Sequence, residues 1–299
     1  KVVWSKTKEC YVVVSEVAKN NSGKKKVLAS VLAALAVVGA GAAGTPVQAA
    51  TDYNKKVNIS PNGTMAGGYS ANNSVSDNSI VVGYGNDTST GAQGNGHVAY
   101  GFGNTSTEDT STALGGGNKA TGPASTAVGS FNEATARAAI AMGNVSKATG
   151  ERSVAIGSGA EATQAETIAV GREAKATAGQ TVAIGRLAKA DQQYATAMGY
   201  NAQATGSSSL ALGRDSSSSG SSSVAVGYRN QAKKTVSVAM GVNNDVDGEE
   251  STGVGSSNTI ATNANQASAF GRENRINRAG AFAAGYKNTT NGERNVAVG

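Results

Sequence analysis

The sequence predicts an all-β protein, a parallel β-solenoid built from coils of fourteen residues. One observation is a short apolar run that ends in glycine, as in Val154-Ala155-Ile156-Gly157, and recurs along most of the chain. Another is the constant spacing of that glycine. The third is composition: 299 residues include 40 glycines and only 5% aromatic residues, so few side chains could fill a thick core. Together these features indicate a thin, repetitive structure.

The repeat contains sixteen copies of the glycine-terminated run, and thirteen of the fifteen intervals are fourteen residues long. The two exceptions, eighteen and sixteen residues, predict loop insertions of four and two residues. We interpret the repeated glycines as turn residues, because glycine accepts a positive φ. They are Gly83, Gly101, Gly115, Gly129, Gly143, Gly157, Gly171, Gly185, Gly199, Gly213, Gly227, Gly241, Gly255, Gly271, Gly285 and Gly299.

Each unit contains two short strands. In Ile168-Ala169-Val170 the two outer residues face one side and the alanine faces the other, as in a strand covered on both faces. After the glycine, small residues alternate, as in Ala160-x-Ala162-Thr163, which predicts a second strand with small inward side chains. Helical coils are disfavoured, because two helices with their turns need about thirty residues or more per repeat.

Such a coil encloses little volume, with two aliphatic residues on one strand and mostly alanines on the other. A stack of sixteen coils at ~4.8 Å per coil would be about 75 Å long. The only cysteine is Cys10, so no disulfide can stabilise the repeats. Each chain would bury little apolar area against a large entropy of ordering. The sequence therefore predicts lateral association of several copies, a homo-oligomer.

Residues 1–50 have the pattern of a secretory signal. Lys24-Lys25-Lys26 precede a largely apolar run over residues 27–43 and a small-residue sequence, which predicts cleavage after Ala49. A transmembrane helix is the weaker alternative, because the run is short and rich in alanine and glycine. Residues 51–79 are interpreted as a mature N-terminus and cap, in which Met65-Ala66-Gly67-Gly68 is a candidate degenerate copy of the repeat.

Ahead of the basic residues, the segments Val3-Trp4-Ser5-Lys6 and Cys10-Tyr11-Val12-Val13-Val14-Ser15-Glu16 occur in order. They resemble the extended signal-peptide region of large autotransporters of Gram-negative bacteria, which belongs to type V secretion. A small folded N-terminal element is the alternative.

Charge gives little support to nucleic-acid binding. The formal net charge is +6, but residues 1–50 hold seven lysines and two glutamates. Residues 51–299 then carry 19 basic and 18 acidic residues, so this part of the chain has almost no net positive charge to attract nucleic acid.

Catalysis and cofactors are also disfavoured. His97 is the only histidine and is expected at the surface of an early loop. A catalytic set of nucleophile, base and orienting group therefore cannot be assembled from the sequence. Polysaccharide lyases on larger β-helices are the rival enzyme class, disfavoured by the small coil. Asn243-x-Asp245-x-Asp247-Gly248 begins like a calcium loop, but Val254 stands where a bidentate glutamate is required. We therefore expect no enzyme activity, no metal and no cofactor.

Units such as Ser153-Val154-Ala155-Ile156-Gly157 resemble the head repeats of YadA-like trimeric autotransporter adhesins, over residues 80–299. The resemblance implies a left-handed parallel β-roll assembled as a homotrimer, exported and held at the bacterial cell surface and outer membrane. It also implies binding of host extracellular matrix, notably collagen, or of host cells. The family's neck, stalk and C-terminal membrane anchor do not follow the repeats, so the sequence is expected to be an N-terminal part of a longer adhesin.

The residue directly after the glycine is the predicted ligand-binding position, because large planar groups recur there. Tyrosine and arginine are common in binding hot spots. The alternatives are that these side chains cover turns or pack between subunits, and that the protein is a structural or self-associating module without a host ligand. Ice binding would need a regular threonine face, which is interrupted, and the serine run at 216–223 is expected to be a polar turn. The candidates are Arg172, Arg186, Tyr200, Arg214 and Tyr228.

Overall fold

The computed structural model describes residues 2–5, 10–13, 55–59, 65–69, 79–88 and 96–299. The chain divides into two units, Lys1–Val47 and Gln48–Gly299. In the first unit, Val2–Ser5 pairs antiparallel with Cys10–Val13. The expected apolar segment at 27–43 and the cleavage site after Ala49 lie outside the described residues. Within the described part of the chain, no helix has the length and apolar character needed to cross a membrane.

The second unit contains two sheets, and each regular coil contributes one strand to each. The strands of the first sheet are Lys55–Ile59, Met65–Tyr69, Ile80–Tyr84, Val98–Phe102, Thr112–Gly116, Thr126–Ser130, Ile140–Asn144, Val154–Ile156, Ile168–Val170, Val182–Ile184, Thr196–Met198, Leu210–Leu212, Val224–Tyr228, Val238–Val242, Thr252–Ser256, Ser268–Arg272, Phe282–Tyr286 and Val296–Val298. The strands of the second sheet are Thr105–Ser106, Lys119–Ala120, Glu133–Ala134, Lys147–Ala148, Glu161–Ala162, Lys175–Ala176, Lys189–Ala190, Gln203–Ala204, Ser217–Ser218, Gln231–Ala232, Asp245–Val246, Thr259–Ile260, Arg275–Ile276 and Thr289–Thr290.

The strand register follows the sequence repeat. Ala127 pairs with Ala113 on one side and Ala141 on the other, and Gly129 pairs likewise with Gly115 and Gly143. These pairings are parallel and join residues fourteen apart. The fold is therefore the expected parallel β-solenoid of 14-residue coils.

The N-terminal end of the first sheet departs from this pattern. Met65–Tyr69 pairs parallel with Ile80–Tyr84, with Met65 opposite Ile80, so this strand is in phase with the repeat. Lys55–Ile59 then pairs with it in the antiparallel direction. The parallel order of the sheet ends at this point.

Alanine fills the interior of the coils. We call the three residues before each turn glycine the trio. Its central residue, such as Ala155, is fully buried, and so are the small residues at or just before the second strand, such as Ala160 and Ala162. At one coil a larger side chain is matched by a smaller one: Val246 takes an alanine position, and Gly253 replaces the alanine that would contact it, since a Cβ there would lie 2.7 Å from Val246 Cγ2. The interior is thus narrow and closely packed.

The aliphatic side chains of the trio lie outside the coil, which corrects the expectation that they help to fill it. Val154 is half-buried and Ile156 is 37% exposed, while Ala155 between them is fully buried. The reason is the period of two along a strand: an inward alanine directs both of its neighbours outward. The trio is covered on one face only within a single chain.

The turn glycines have positive φ and a second constraint. From Gly115 to Gly241 their φ angles lie between +116° and +137°. A Cβ on Gly185 would also lie within 3.0 Å of the carbonyl of Gly199 in the next coil. The close stacking of backbones, in addition to the turn, requires glycine here.

A column of asparagines, all buried except the half-buried Asn288, follows the glycines three residues later at both ends of the stack. Asn118 Nδ2 donates to the carbonyls of Leu114 and Gly129, and Asn118 Oδ1 accepts from Asn132. In the middle coils alanine takes this position, as at Ala174. The first-sheet strands are five residues long in the asparagine coils and three in the alanine coils. The asparagine column comprises Asn86, Asn104, Asn118 and Asn132, and Asn230, Asn244, Asn258, Asn274 and Asn288.

The structure corrects two further expectations and shows the form of the predicted two-residue insertion. His97 is fully buried and not at the surface, because it occupies the inward position that Ser111 holds in the next coil. The serine run at 216–223 is more than a turn: it includes the strand Ser217–Ser218, and Ser218 is fully buried. The two-residue insertion before Gly271 forms an extra turn in which Ala264 N donates to Ala261 O.

Candidate functional site

The outer face of the first sheet carries an apolar surface, which we call the aliphatic stripe. It consists of the residues one and three positions before each turn glycine. Ile156, Met198, Leu212 and Met240 illustrate it, with exposures of 37 to 40%. Because the coils are in register, these side chains form two columns along the stack. The columns are mostly apolar, with threonine or serine three positions before the glycine in five coils, as at Thr126. A largely apolar exposed surface is typical of a protein–protein interface.

The five predicted ligand-binding residues, here called the Arg–Tyr column, lie on the same outward face. They follow the stripe by two residues, so they border it at one edge. The side chains of Arg172 and Arg214 are 61% and 62% exposed, Tyr200 is exposed, and Tyr228 is half-buried. Arg186 is also exposed. All five are accessible in the single chain.

Stacking contacts join four of these five residues. The guanidinium carbons of Arg186 and Arg214 lie 5.6 and 5.7 Å from the ring centre of Tyr200. Arg214 also lies 5.6 Å from the ring of Tyr228. Such cation–π contacts hold the rings and guanidinium groups in a fixed arrangement along the column. Arg172 instead pairs with Glu173 at 2.9 Å.

The same position holds further stacked pairs nearer the ends of the stack. Tyr84 and Phe102 stack with ring centres 5.4 Å apart. Arg272 lies 5.5 Å from the ring of Tyr286. Between these regions the position is occupied by small or polar residues, as at Gly116 and Ser130. The column is therefore interrupted, with its longest stacked run between residues 186 and 228.

A third surface, which the sequence analysis did not single out, lies on the outer face of the second sheet. Four residues after the glycine, lysine and glutamate alternate on successive coils: Lys119, Glu133, Lys147, Glu161 and Lys175. We call this the charged column. Its signal was present in the sequence as opposite charges fourteen residues apart.

A smaller polar network lies at the turn that follows the second-sheet strand of each middle coil, which we call the second turn. Glu166 accepts from Gln180 at 2.9 Å and pairs with Arg152 at 2.8 Å. The hydrogen bond from Gln180, followed by the bond to and charge of Arg152, holds the pKa of Glu166 below its usual value of 4.5. The network is exposed, so it contributes little to stability.

The remaining candidates are engaged in the coil itself. His97 Nδ1 is 3.2 Å from Ser111 Oγ, inside the stack. In the calcium-like segment, Asn244 belongs to the buried asparagine column and Asp245 pairs with Lys233 at 2.6 Å. In the part of the chain that the structure describes, no three His, Cys, Asp or Glu side chains are grouped to hold a metal ion.

The fold and these columns define the class of protein, a repetitive parallel β-solenoid with apolar, Arg–Tyr and charged side chains arranged in columns on its surface. The family model of the YadA head domain repeat, which describes two copies, matches residues 106–132, 134–160, 162–188, 190–216, 204–230 and 218–244. The model of the extended signal peptide of the type V secretion system matches residues 1–45. Among curated proteins, none matches the chain.

The two sets of matches together span more than half of the chain, and each head-repeat match covers about two coils. The chain belongs to the YadA-like trimeric autotransporter adhesins. It is exported to the bacterial cell surface and outer membrane. The family and the solenoid fold indicate a structural, adhesive role.

Proposed function

We propose that the chain is the head of a homotrimeric adhesin that binds a host extracellular matrix protein, a collagen-like ligand, or host cells. The main support for the proposal is that its outer surface is divided into an apolar region and a bordering region of polar and planar groups. The first sheet presents the aliphatic stripe, and polar and planar groups lie at its border. The corresponding domains would be residues 1–50 as extended signal peptide, 51–79 as N-terminus and cap, and 80–299 as head repeats.

The aliphatic stripe supports self-assembly. Side chains such as Ile156, Ile168 and Met198 are each 37% exposed in one chain, in columns that recur on every coil. Burial of apolar area gives about 25 cal/mol per Å², and the narrow alanine interior offers little of it. Contact between copies would bury the stripe. The number three comes from the family, and the physical argument requires only that copies associate.

The Arg–Tyr column supports ligand binding. Arginine and tyrosine are enriched among residues that carry binding energy, because each combines a large planar surface with polar groups. Tyr200, stacked between Arg186 and Arg214, is the centre of the column. A long ligand such as a fibrous matrix protein would contact several coils at once. Three chains would then add many weak contacts by multivalency.

A second function is favoured by the charged column. Alternating charges on an exposed flat sheet do not point to one host ligand, but they suit self-association between rods. In this alternative function, the head repeats project another part of the protein or mediate cell aggregation.

Beads coated with the protein and presented to immobilised collagen, fibronectin and laminin test the first function. We expect specific retention on at least one of these surfaces, with collagen the leading candidate. Beads that clump readily but are retained on none of them would exclude matrix binding and leave self-association as the function.

A further inference from the structure

We propose that the charged column is a homotypic contact surface, through which two rods from different trimers associate antiparallel and face to face. This inference rests on the proposed trimer, in which the first sheet is covered by partner chains and the second sheet faces outward. The partner is a second copy of this chain, and the attraction is between lysine and glutamate side chains.

The order of charges is self-complementary. Lys119, Glu133, Lys147 and Glu161 occupy successive strands of the second sheet in register. When a second copy is reversed and centred between Glu133 and Lys147, Lys119 opposes the other copy's Glu161, and Glu133 opposes its Lys147. All four positions then meet an opposite charge. Copies placed parallel and in register would instead oppose lysine to lysine, and a parallel pair would bring opposite charges together only after a shift of one coil.

The surface around this column permits close approach. The neighbouring outward column, two residues later, consists of threonines in these coils, at Thr121, Thr135, Thr149 and Thr163. These side chains are shorter than lysine and glutamate, so the charged groups can project beyond them towards a partner. The coils repeat at ~4.8 Å in both copies, so the two charge series have the same spacing.

The charges are available to a partner. Lys119 and Glu133 side chains are 59% and 36% exposed, and their closest atoms are 3.8 Å apart. Lys175 pairs with Glu161 at 3.3 Å, also at the surface. Lys147 is exposed, and among the described residues it forms no ion pair. Exposed ion pairs of this kind are weak within a chain. The lysine and glutamate side chains can therefore exchange them for ion pairs with another rod.

Individually weak contacts can still hold cells together. Each trimer would present three such faces, and a cell surface carries many trimers, so the contacts act together. Salt screens exposed charges, with a Debye length of about 10 Å at 0.1 M and about 3 Å at 1 M. We therefore expect an association that is strong in dilute salt and absent at high salt.

Two charge-reversal variants test the inference with protein coupled to beads of two colours. The acid variant is Lys119→Glu with Lys147→Glu, and the base variant is Glu133→Lys with Glu161→Lys. Wild-type beads should clump in dilute salt and disperse in 1 M NaCl. Acid-variant beads and base-variant beads should each stay dispersed alone, because like charges then meet. Mixed together, they should form clumps that contain both colours.

The control is Arg137→Glu with Arg278→Glu, which makes the same change in net charge as the acid variant but at exposed turn positions outside the column. It should clump like the wild type. Wild-type beads that stay dispersed in dilute salt, variants that clump alone, or a mixture that stays dispersed would each overturn the inference. A control that stayed dispersed would also overturn it, because net charge and not the column would then govern clumping.

Two separate readouts distinguish this inference from the proposed function. Every variant should sediment as the wild-type trimer, since the changes lie away from the aliphatic stripe, and a variant that sedimented as a monomer would overturn the premise. Retention on matrix proteins should be unchanged in both variants, because the Arg–Tyr column is intact. Loss of matrix retention together with clumping would show that one surface serves both and would overturn the separate assignment.

Discussion

The side-chain amide of Asn118 donates to the carbonyl of Gly129 in the next coil at 2.8 Å, in a position closed to water. The carbonyl oxygen of Asn118 accepts from the backbone and the side chain of Asn132. Each asparagine therefore links two coils and satisfies a buried turn carbonyl. The linkage extends the first-sheet strand through the glycine, because the carbonyl has an inward partner.

Asn118→Ala should destabilise the stack by about 1–3 kcal/mol, because Gly129 O and Asn132 Nδ2 would each lose a buried partner. A lower denaturation midpoint measures this. Asn291→Ala, which removes a surface bond to Asn277, should have almost no effect. Alanine is tolerated at this position in the middle coils, so equal stability of the two variants would show that the coil can adopt that alternative turn without cost.

Gly185→Ala should destabilise the protein by at least about 2 kcal/mol, because the backbone has φ +128° and a Cβ would meet the carbonyl of Gly199. Gly179→Ala is the matched control six residues earlier. A Cβ at Gly179 has nothing within 4 Å, so this change should be neutral or slightly stabilising. Thermal unfolding of both variants checks the difference, and similar values for the two would contradict the stacking argument.

Ile156→Glu with Val170→Glu should prevent or weaken self-association, because two carboxylates would be placed in the aliphatic stripe. Sedimentation should then report a smaller species than the wild type. Gln164→Glu with Gln192→Glu adds the same charge at the exposed second turn and should leave the assembly unchanged. A wild-type protein that sediments as a compact, stable monomer would refute the assembly itself.

Tyr200→Ala should weaken matrix binding by at least about fivefold, the change produced by ~1 kcal/mol at a binding hot spot. Tyr194→Ala removes another exposed tyrosine, from the second turn and outside the Arg–Tyr column, and should bind as the wild type does. Retention of beads on the matrix protein measures both. If the two variants bind equally well, the column is not the ligand surface.

Glu166→Gln should reduce the acid dependence of stability. The pKa of Glu166 is lowered in the folded chain, first by the bond from Gln180 and then by Arg152. Its favourable contribution is therefore present above the unfolded value and is lost as the pH falls below about 4.5 through the lower folded pKa. The difference in melting temperature between wild type and variant should shrink over that acidic range. A constant difference would show that the ionised carboxylate is not stabilised.

The fourteen-residue spacing of glycine was sufficient to predict two short parallel strands per coil, small inward residues and stacking in register. These properties are local, because a strand alternates its side chains with a period of two and a positive φ at a repeated turn selects glycine. The leader and the head repeats could likewise be recognised from the order of residues in the sequence. The loop insertions were visible as breaks in the spacing.

Tertiary structure decided which side of each strand faces inward. Ile168-Ala169-Val170 is compatible with either choice, and only the narrow coil shows that alanine is enclosed while both aliphatic residues lie outside. His97 was misplaced for the same reason, since an inward position depends on the path of the coil. The stacking of Tyr200 between Arg186 and Arg214, and the alternating charges from Lys119 to Lys175, exist because stacking brings residues fourteen apart to neighbouring strands.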